Sequence, residues 1–241
     1  RPIGRNVARV CGDPSCSIAG GGLALTKASV HLGVAPDETT ADGEWMLERA
    51  PCLGLCEHAP AALIGDRAVG GINPEKPSEW LSAQGESAAS VVAGDIRILT
   101  RNCGNGTPTS LNAYRAGGGY SAITKALEEL SPSEVVTEIK NSGLVGRGGA
   151  AFPTGVKWEG AADATGAYKY MVCNADESEP GTFKDRVLME DDPHQLLEGI
   201  LLAGYAVGAS KGYIYVRGEY PRAIEVMTQA LEAGQEAGLI G

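Results

Sequence analysis

RVCGDPSC at residues 9–16 and CLGLCEHAPAALI at residues 52–64 decide how the first part of this chain folds. Four residues separate Cys11 from Cys16, three separate Cys52 from Cys56, and 35 part the two pairs. Two close pairs on two loops make a four-thiolate cage. Zinc sites use two-residue gaps more often, and a disulfide framework accords poorly with the leftover Cys103 and Cys173, which read as a loop thiol and a buried strand cysteine respectively. Thiolate cages also hold iron–sulfur clusters, for which four cysteines suffice at a [2Fe-2S] centre. Gly12, Gly54, Pro14 and Pro51 suit such a site, because cluster sulfur collects N–H donors from tight loops.

Around these loops, NVARV at 6–10 reads as a strand and Leu23 to Leu32 as a helix. Ala61–Ile64 and Ala68–Val69 flank Gly65-Asp66, a hairpin signal. PSEWLSA at 77–83 reads as a short closing helix, and the small, polar stretch after it puts a boundary between about 83 and 95. Arg97 to Thr100 reads as strand, Tyr120 to Leu130 as helix. Ser131-Pro132-Ser133-Glu134 opens another helix with a capping box that should end at Ser142-Gly143. YKYMVC (168–173) and GYIYVRG (212–218) read as strands, the latter buried, with helices over His194–Val207 and Pro221–Ala237. Such alternation predicts an α/β layer with parallel pairs.

The 241 residues are 43% hydrophobic and 21% charged, enough to bury a core and unlike a disordered chain. A net charge of −10 argues against nucleic acid and anionic membrane as partners. Glycine, 34 of 241 residues or about 14%, is roughly twice as common as average and clusters in loops. No leader precedes Arg1, so the sequence reads as a fragment, and Leu196–Ala209 falls short of the roughly 20 apolar residues of a membrane span. A soluble protein is expected.

GLVGRGGAAFPTGVKW (143–158) contains a formal GxGxxA at Gly146, Gly148 and Ala151. A helix, not a strand, precedes it, which departs from a dinucleotide fingerprint. Glycines beside Arg147 and Lys157 would let backbone close on a phosphate; the plain alternative is a tight turn with solvated cations. VCNADESEPGTFKD (172–185) puts Asp176, Glu177, Glu179 and Asp185 after a hydrophobic strand, where α/β folds bind ligands; the alternative is a solvated acidic face. Asn174 and these acids suit ribose or ribityl hydroxyls. His31, His58 and His194 are scattered without a triad or metal pattern, and Trp45, Trp80 and Trp158 read as packing residues.

RVCGDPSC, ETTADGEW and CLGLCEHAPAALI resemble the thioredoxin-like [2Fe-2S] ferredoxin of the NADH-quinone oxidoreductase (complex I) E subunit, over residues 1 to about 83. SGLVGRGGAAFPTGVKW, VCNADESEPGTFKDR and GYIYVRGEY resemble its F-type flavoprotein subunit, from near Ile98 onward. The resemblance implies a thioredoxin-like ferredoxin domain at 1–83, a linker at 84–96, and at 97–241 part of a Rossmann-like α/β FMN- and NADH-binding domain. It implies a cluster on Cys11, Cys16, Cys52 and Cys56. FMN is expected at Gly146, Arg147, Gly148, Lys157, Asn174, Asp176, Glu177, Gly218 and Glu219. Phe152, Glu179 and Lys184 are the expected NADH contacts, while Glu159-Gly160 replaces an aromatic that family members carry. The family's later flavin-binding segment and [4Fe-4S] motif have no counterpart here. The implied function is an NADH dehydrogenase module passing electrons from NADH through FMN to iron–sulfur clusters. Its partners are subunits of a quinone oxidoreductase, an NAD-linked hydrogenase or a formate dehydrogenase, and its place is the cytoplasm, peripheral on the cytoplasmic side of the inner membrane. The competing expectation is a [2Fe-2S] carrier or docking protein without flavin.

Overall fold

The computed structural model describes residues 4–82, 88, 90–105 and 107–241. Residues 84–87 and 89 of the expected linker, and Ala83 of the closing helix, lie outside them. In chain order the elements are β1 (Asn6–Cys11), α1 (Pro14–Ile18), α2 (Gly21–Leu32), β2 (Glu38–Thr39), β3 (Trp45–Ala50), a 3-10 turn (Cys56–His58), β4 (Ala62–Ile64), β5 (Arg67–Val69) and α3 (Pro77–Leu81). They continue with α4 (Leu111–Ala116), α5 (Ser121–Glu129), α6 (Pro132–Asn141), α7 (Thr154–Asp163), β6 (Tyr170–Ala175), α8 (Lys184–Asp191), α9 (Pro193–Val207), β7 (Lys211–Val216) and α10 (Pro221–Glu236). Two compact units result. The first is Arg1–Thr107 with Asp176–Asp191 and Val216–Met227; the second is Pro108–Ala175 with Asp192–Tyr215 and Thr228–Gly241.

The first unit holds a five-stranded sheet in the order β2-β3-β1-β4-β5. β1 and β3 run parallel, joined through α2, and the other pairs are antiparallel. The side-chain period of two sends Ala8 and Val10 of β1 to one face, where they pack with Ala24 and Ala28 of α2, Leu47 and Trp80. On β1 and β3, Arg9 stands opposite Glu48 and pairs with it at 2.8 Å. Small residues on α2 let it lie close to the sheet. A Cβ on Gly21 would come within 2.7 Å of the Cys11 carbonyl oxygen, so this helix starts against the cysteine loop only because position 21 is glycine.

In the second unit α6 begins with the expected capping box and ends with Ser142 as C-cap. Gly155 of α7 seats on α6, where a Cβ would meet the Lys140 backbone nitrogen at 2.6 Å. Lys140 and Glu159 add an ion pair at 2.8 Å between the same helices. A buried carboxylate organises the rest: Glu198 of α9 accepts from the Tyr114 hydroxyl (2.6 Å), from the Tyr120 N–H (2.9 Å), and from the Ala122 (3.0 Å) and Ile123 (3.2 Å) N–H groups. It thereby satisfies the N-terminus of α5, whose N-cap Tyr120 offers no side-chain cap.

Three expectations need correction. Arg97–Thr100 forms bends and a turn rather than a strand, since Ile96 and Ile98 are exposed and no strand among the described residues lies beside them. β7 is not buried: it pairs with β6 alone, and one face of this two-stranded sheet leaves Tyr170, Val172, Tyr213 and Tyr215 open. Cys173, expected buried, is half-exposed on β6, whereas the loop thiol Cys103 is buried.

Candidate functional site

The four cysteines of the spacing argument come together in the first unit. Cys11 ends β1, Cys16 lies on α1, Cys52 follows β3, and Cys56 opens the 3-10 turn. Their sulfurs form one connected set: Cys16 touches Cys11, Cys11 touches Cys52, and Cys52 lies 3.3 Å from Cys56. All four are free thiols, three of them buried. Asp13, the residue before α1, accepts the Cys52 N–H at 2.7 Å and so ties the two cysteine loops together. Four connected thiols match the ligand number of a two-iron cluster, which takes four thiolates.

The surroundings supply the N–H donors that cluster sulfur needs. Asp13 donates backbone N–H to Cys11, Ala61 to Cys16, Gly54 to Cys52, and Gly181 to both Cys52 and Cys56. Contact with Cys11 holds the Cys16 thiol below its ordinary value. The same kind of contact, with burial, pushes Cys52 up to about 12, and burial followed by Cys52 raises Cys56. Four crowded sulfurs share little negative charge until a cation arrives, which is the chemistry of a metal-accepting set.

The acidic loop after β6 contributes more to this unit than an acidic run suggests. Glu177 is 2% exposed, so it belongs to no solvated face. Its carboxylate caps α8, accepting the Asp185 N–H at 3.0 and 3.1 Å and the Arg186 N–H at 3.1 Å. Lys184 reaches Glu177 at 3.5 Å and Asp185 at 2.8 Å. Asp176 accepts the Ser178 hydroxyl, and Glu179 is exposed. Buried Arg217 donates to the Glu177 carbonyl at 2.7 Å and to Glu219 at 3.1 Å. Burial would raise Glu219, but that guanidinium outweighs it and leaves the carboxyl below its usual range. Gly218 is open, with nothing near a notional Cβ.

In the second unit the glycine loop runs from α6 to α7. The Gly146 N–H is held by the Phe152 carbonyl at 2.9 Å, and Val145 bridges Pro153. Gly148 has open space at its Cα, and Gly149 and Ala151 take positive φ. Arg147 and the α7 residue Lys157 are exposed and form no ion pair among the described residues. The N-terminus of α7 carries no side-chain cap. Open backbone, free cations and an uncapped helix start suit a phosphate, so this loop fits the phosphate end of a flavin mononucleotide. Phe152 is exposed beside it, and Asn174 is exposed near the end of β6.

Sequence reading assigned no role to Glu198, His194, Arg186 and Arg217, each buried. A polar residue inside an apolar helical run, such as Glu198 in HQLLEGILLAGYAV, was the available signal. Nδ1 of His194 meets the Tyr120 hydroxyl at 2.9 Å, and burial, then Arg115, lowers its pKa from the ordinary 6.5. The unfolded chain therefore binds the proton at a higher pH than the folded one. Stability from this group is complete above about 6.5 and is lost as pH falls towards the folded value. Urea midpoints measured from pH 8 to 5 should drop on the acid side, and His194→Gln should flatten that part of the profile.

Two family models match the chain: the thioredoxin-like [2Fe-2S] ferredoxin over residues 1–84 and the Nuo51 FMN-binding domain over 139–240. An F-type chain of the NADH-quinone oxidoreductase of Rhizobium meliloti is 53% identical over 144 residues, which are 60% of this chain and 34% of that protein. The NAD-reducing hydrogenase HoxS subunit alpha of Cupriavidus necator is 33% identical across 100% of this chain and 42% of its own length. Among solved structures, an air-oxidized NAD+-reducing [NiFe]-hydrogenase aligns with a TM-score of 0.77 at 28% identity, over 100% of this chain and 42% of that one. This chain thus spans between a third and a half of the length of these relatives. No helix among the described residues is long and apolar enough to cross a membrane.

Proposed function

We propose that this chain, which joins a domain of the thioredoxin-like [2Fe-2S] ferredoxin family to one of the Nuo51 FMN-binding family, is the electron-input part of an NADH-oxidising complex. The observation that carries this reading is the connected set of four free sulfurs with N–H donors already aimed at them. When bound, FMN supplies conversion of a two-electron hydride into single electrons, and the cluster supplies a one-electron store.

This chain's residues bind and orient. Cys11, Cys16, Cys52 and Cys56 hold the cluster. Gly146 and Gly148 let backbone approach the flavin phosphate, while Arg147 and Lys157 balance its charge. Asn174, Asp176, Gly218 and Glu219 line its ribityl and ring edge. Glu177 keeps its place in that set through its backbone, because its carboxylate is committed to capping α8. Phe152 offers an aromatic face to the dinucleotide, and Glu179 and Lys184 contact it. Domain limits of 1–83 and 97–241 go with this reading.

Partners are the other subunits of a multi-subunit NAD-linked complex. A relative that spans both domains is a hydrogenase subunit, which favours a hydrogenase-type acceptor over quinone. The complex is proposed to work on the cytoplasmic side. Electron paramagnetic resonance on the anaerobic chain tests the reading, recorded before NADH, after NADH and after dithionite. A reduced-cluster signal is expected with NADH. A signal with dithionite alone turns the reading into a flavin-free carrier, and none with either removes the cluster.

A further inference from the structure

Arg186 of α8 is 3% exposed, and each guanidinium nitrogen is engaged. Nε donates to the Gly54 carbonyl at 3.0 Å. One terminal nitrogen donates to Glu57 at 2.9 Å and to the Ser90 hydroxyl at 2.7 Å, the other to Glu190 at 3.2 Å. Gly54 sits between Cys52 and Cys56, and Glu57 directly follows Cys56. One rigid fork therefore grips the cysteine loop in its middle and just past its second sulfur.

What surrounds this grip keeps it in register. Glu177 caps the helix that carries Arg186, and the Gly181 N–H between them reaches the sulfurs of Cys52 and Cys56. Gly54 takes φ +66°, and a Cβ there would collide with the Tyr220 ring, which closes the other side. A lysine has no planar fork and supplies neither the geometry nor the number of bonds.

We propose that Arg186 is a positioning residue for the cluster: its fork fixes the Cys52–Cys56 loop and sets a buried positive charge beside it. The inference rests on the cluster reading above. A cluster that gains one electron gains one negative charge, which a neighbouring guanidinium favours. Removing it leaves Glu57 and Glu190 without their shared counter-charge.

The test is an anaerobic redox titration of the whole chain followed by electron paramagnetic resonance. For Arg186→Met, the ratio of reduced to oxidised cluster at a fixed ambient potential should fall about tenfold, a midpoint about 59 mV more negative for a one-electron couple. Line positions should shift as well. Arg186→Lys, which keeps charge without the fork, should bring the ratio back to within about threefold of wild type while its line positions stay displaced. If the methionine variant does not accumulate folded, the lysine variant reads the geometry, and Glu57→Gln reads the charge through a ratio that rises. Wild-type line positions in Arg186→Lys, or an unmoved ratio in Arg186→Met and Glu57→Gln, overturn the proposal. Wild-type iron and acid-labile sulfide are assayed in parallel. Their absence brings down the cluster reading and this inference together, whereas a normal cluster with unchanged variants brings down the inference alone.

Discussion

Cys52→Ala should yield a chain whose iron and acid-labile sulfide fall to background and whose dithionite-reduced spectrum is blank. Cys52 is the middle of the sulfur set, in contact with both Cys11 and Cys56, and it receives N–H groups from Gly54 and Gly181. On the proposed ligand set, one iron would lose a thiolate without it. The first unit should also unfold at lower denaturant, because metal-binding energy is folding energy in such sites. Cys173→Ala is the control: Cys173 lies on β6 in the other unit, and its loss should leave iron content unchanged. Full iron in Cys52→Ala would remove Cys52 from the ligand set.

Glu198→Ala should be the most damaging single change in the second unit. It strips the acceptor from one hydroxyl and three backbone N–H groups, all held at 2.6–3.2 Å. A buried donor left unpaired costs about 1–3 kcal/mol, and water entering the vacated space offsets part of that, so a loss of about 4 kcal/mol is expected. The Tyr114 hydroxyl shows how dry the site is: burial first, then Glu198, pushes its pKa far above the ordinary 10. Amide exchange at Tyr120, Ala122 and Ile123 should accelerate with the fall in urea midpoint. Glu198→Gln keeps one carbonyl acceptor and should lose about half as much. A midpoint within about 1 kcal/mol of wild type in the alanine variant would refute this account of α5.

Much of this architecture was legible because local chemistry dominates there. Ser131 and Glu134 announce α6 through a cap that needs no tertiary context, and the cysteine spacing announces a four-sulfur cage before any fold is known. What stayed hidden depends on distant partners. Arg97–Thr100 has strand composition, yet a strand exists only where another lies beside it. Glu177 reads as one acid in an acidic run, and only α8, folding eight residues later, turns it into a buried cap. Arg186 and Gly54 stand 132 residues apart, a separation that no periodicity or motif encodes.

That same separation has a consequence for biosynthesis. At roughly 5–20 residues per second, the ribosome delivers Arg186 some 7–26 s after Gly54. For that interval the nascent cysteine loop has its sulfurs but not the guanidinium that holds its middle, and Tyr220 arrives later still. All four sulfurs are thus present on a pliant loop before a braced one can form, so the order of translation separates completing the proposed ligand set from locking it.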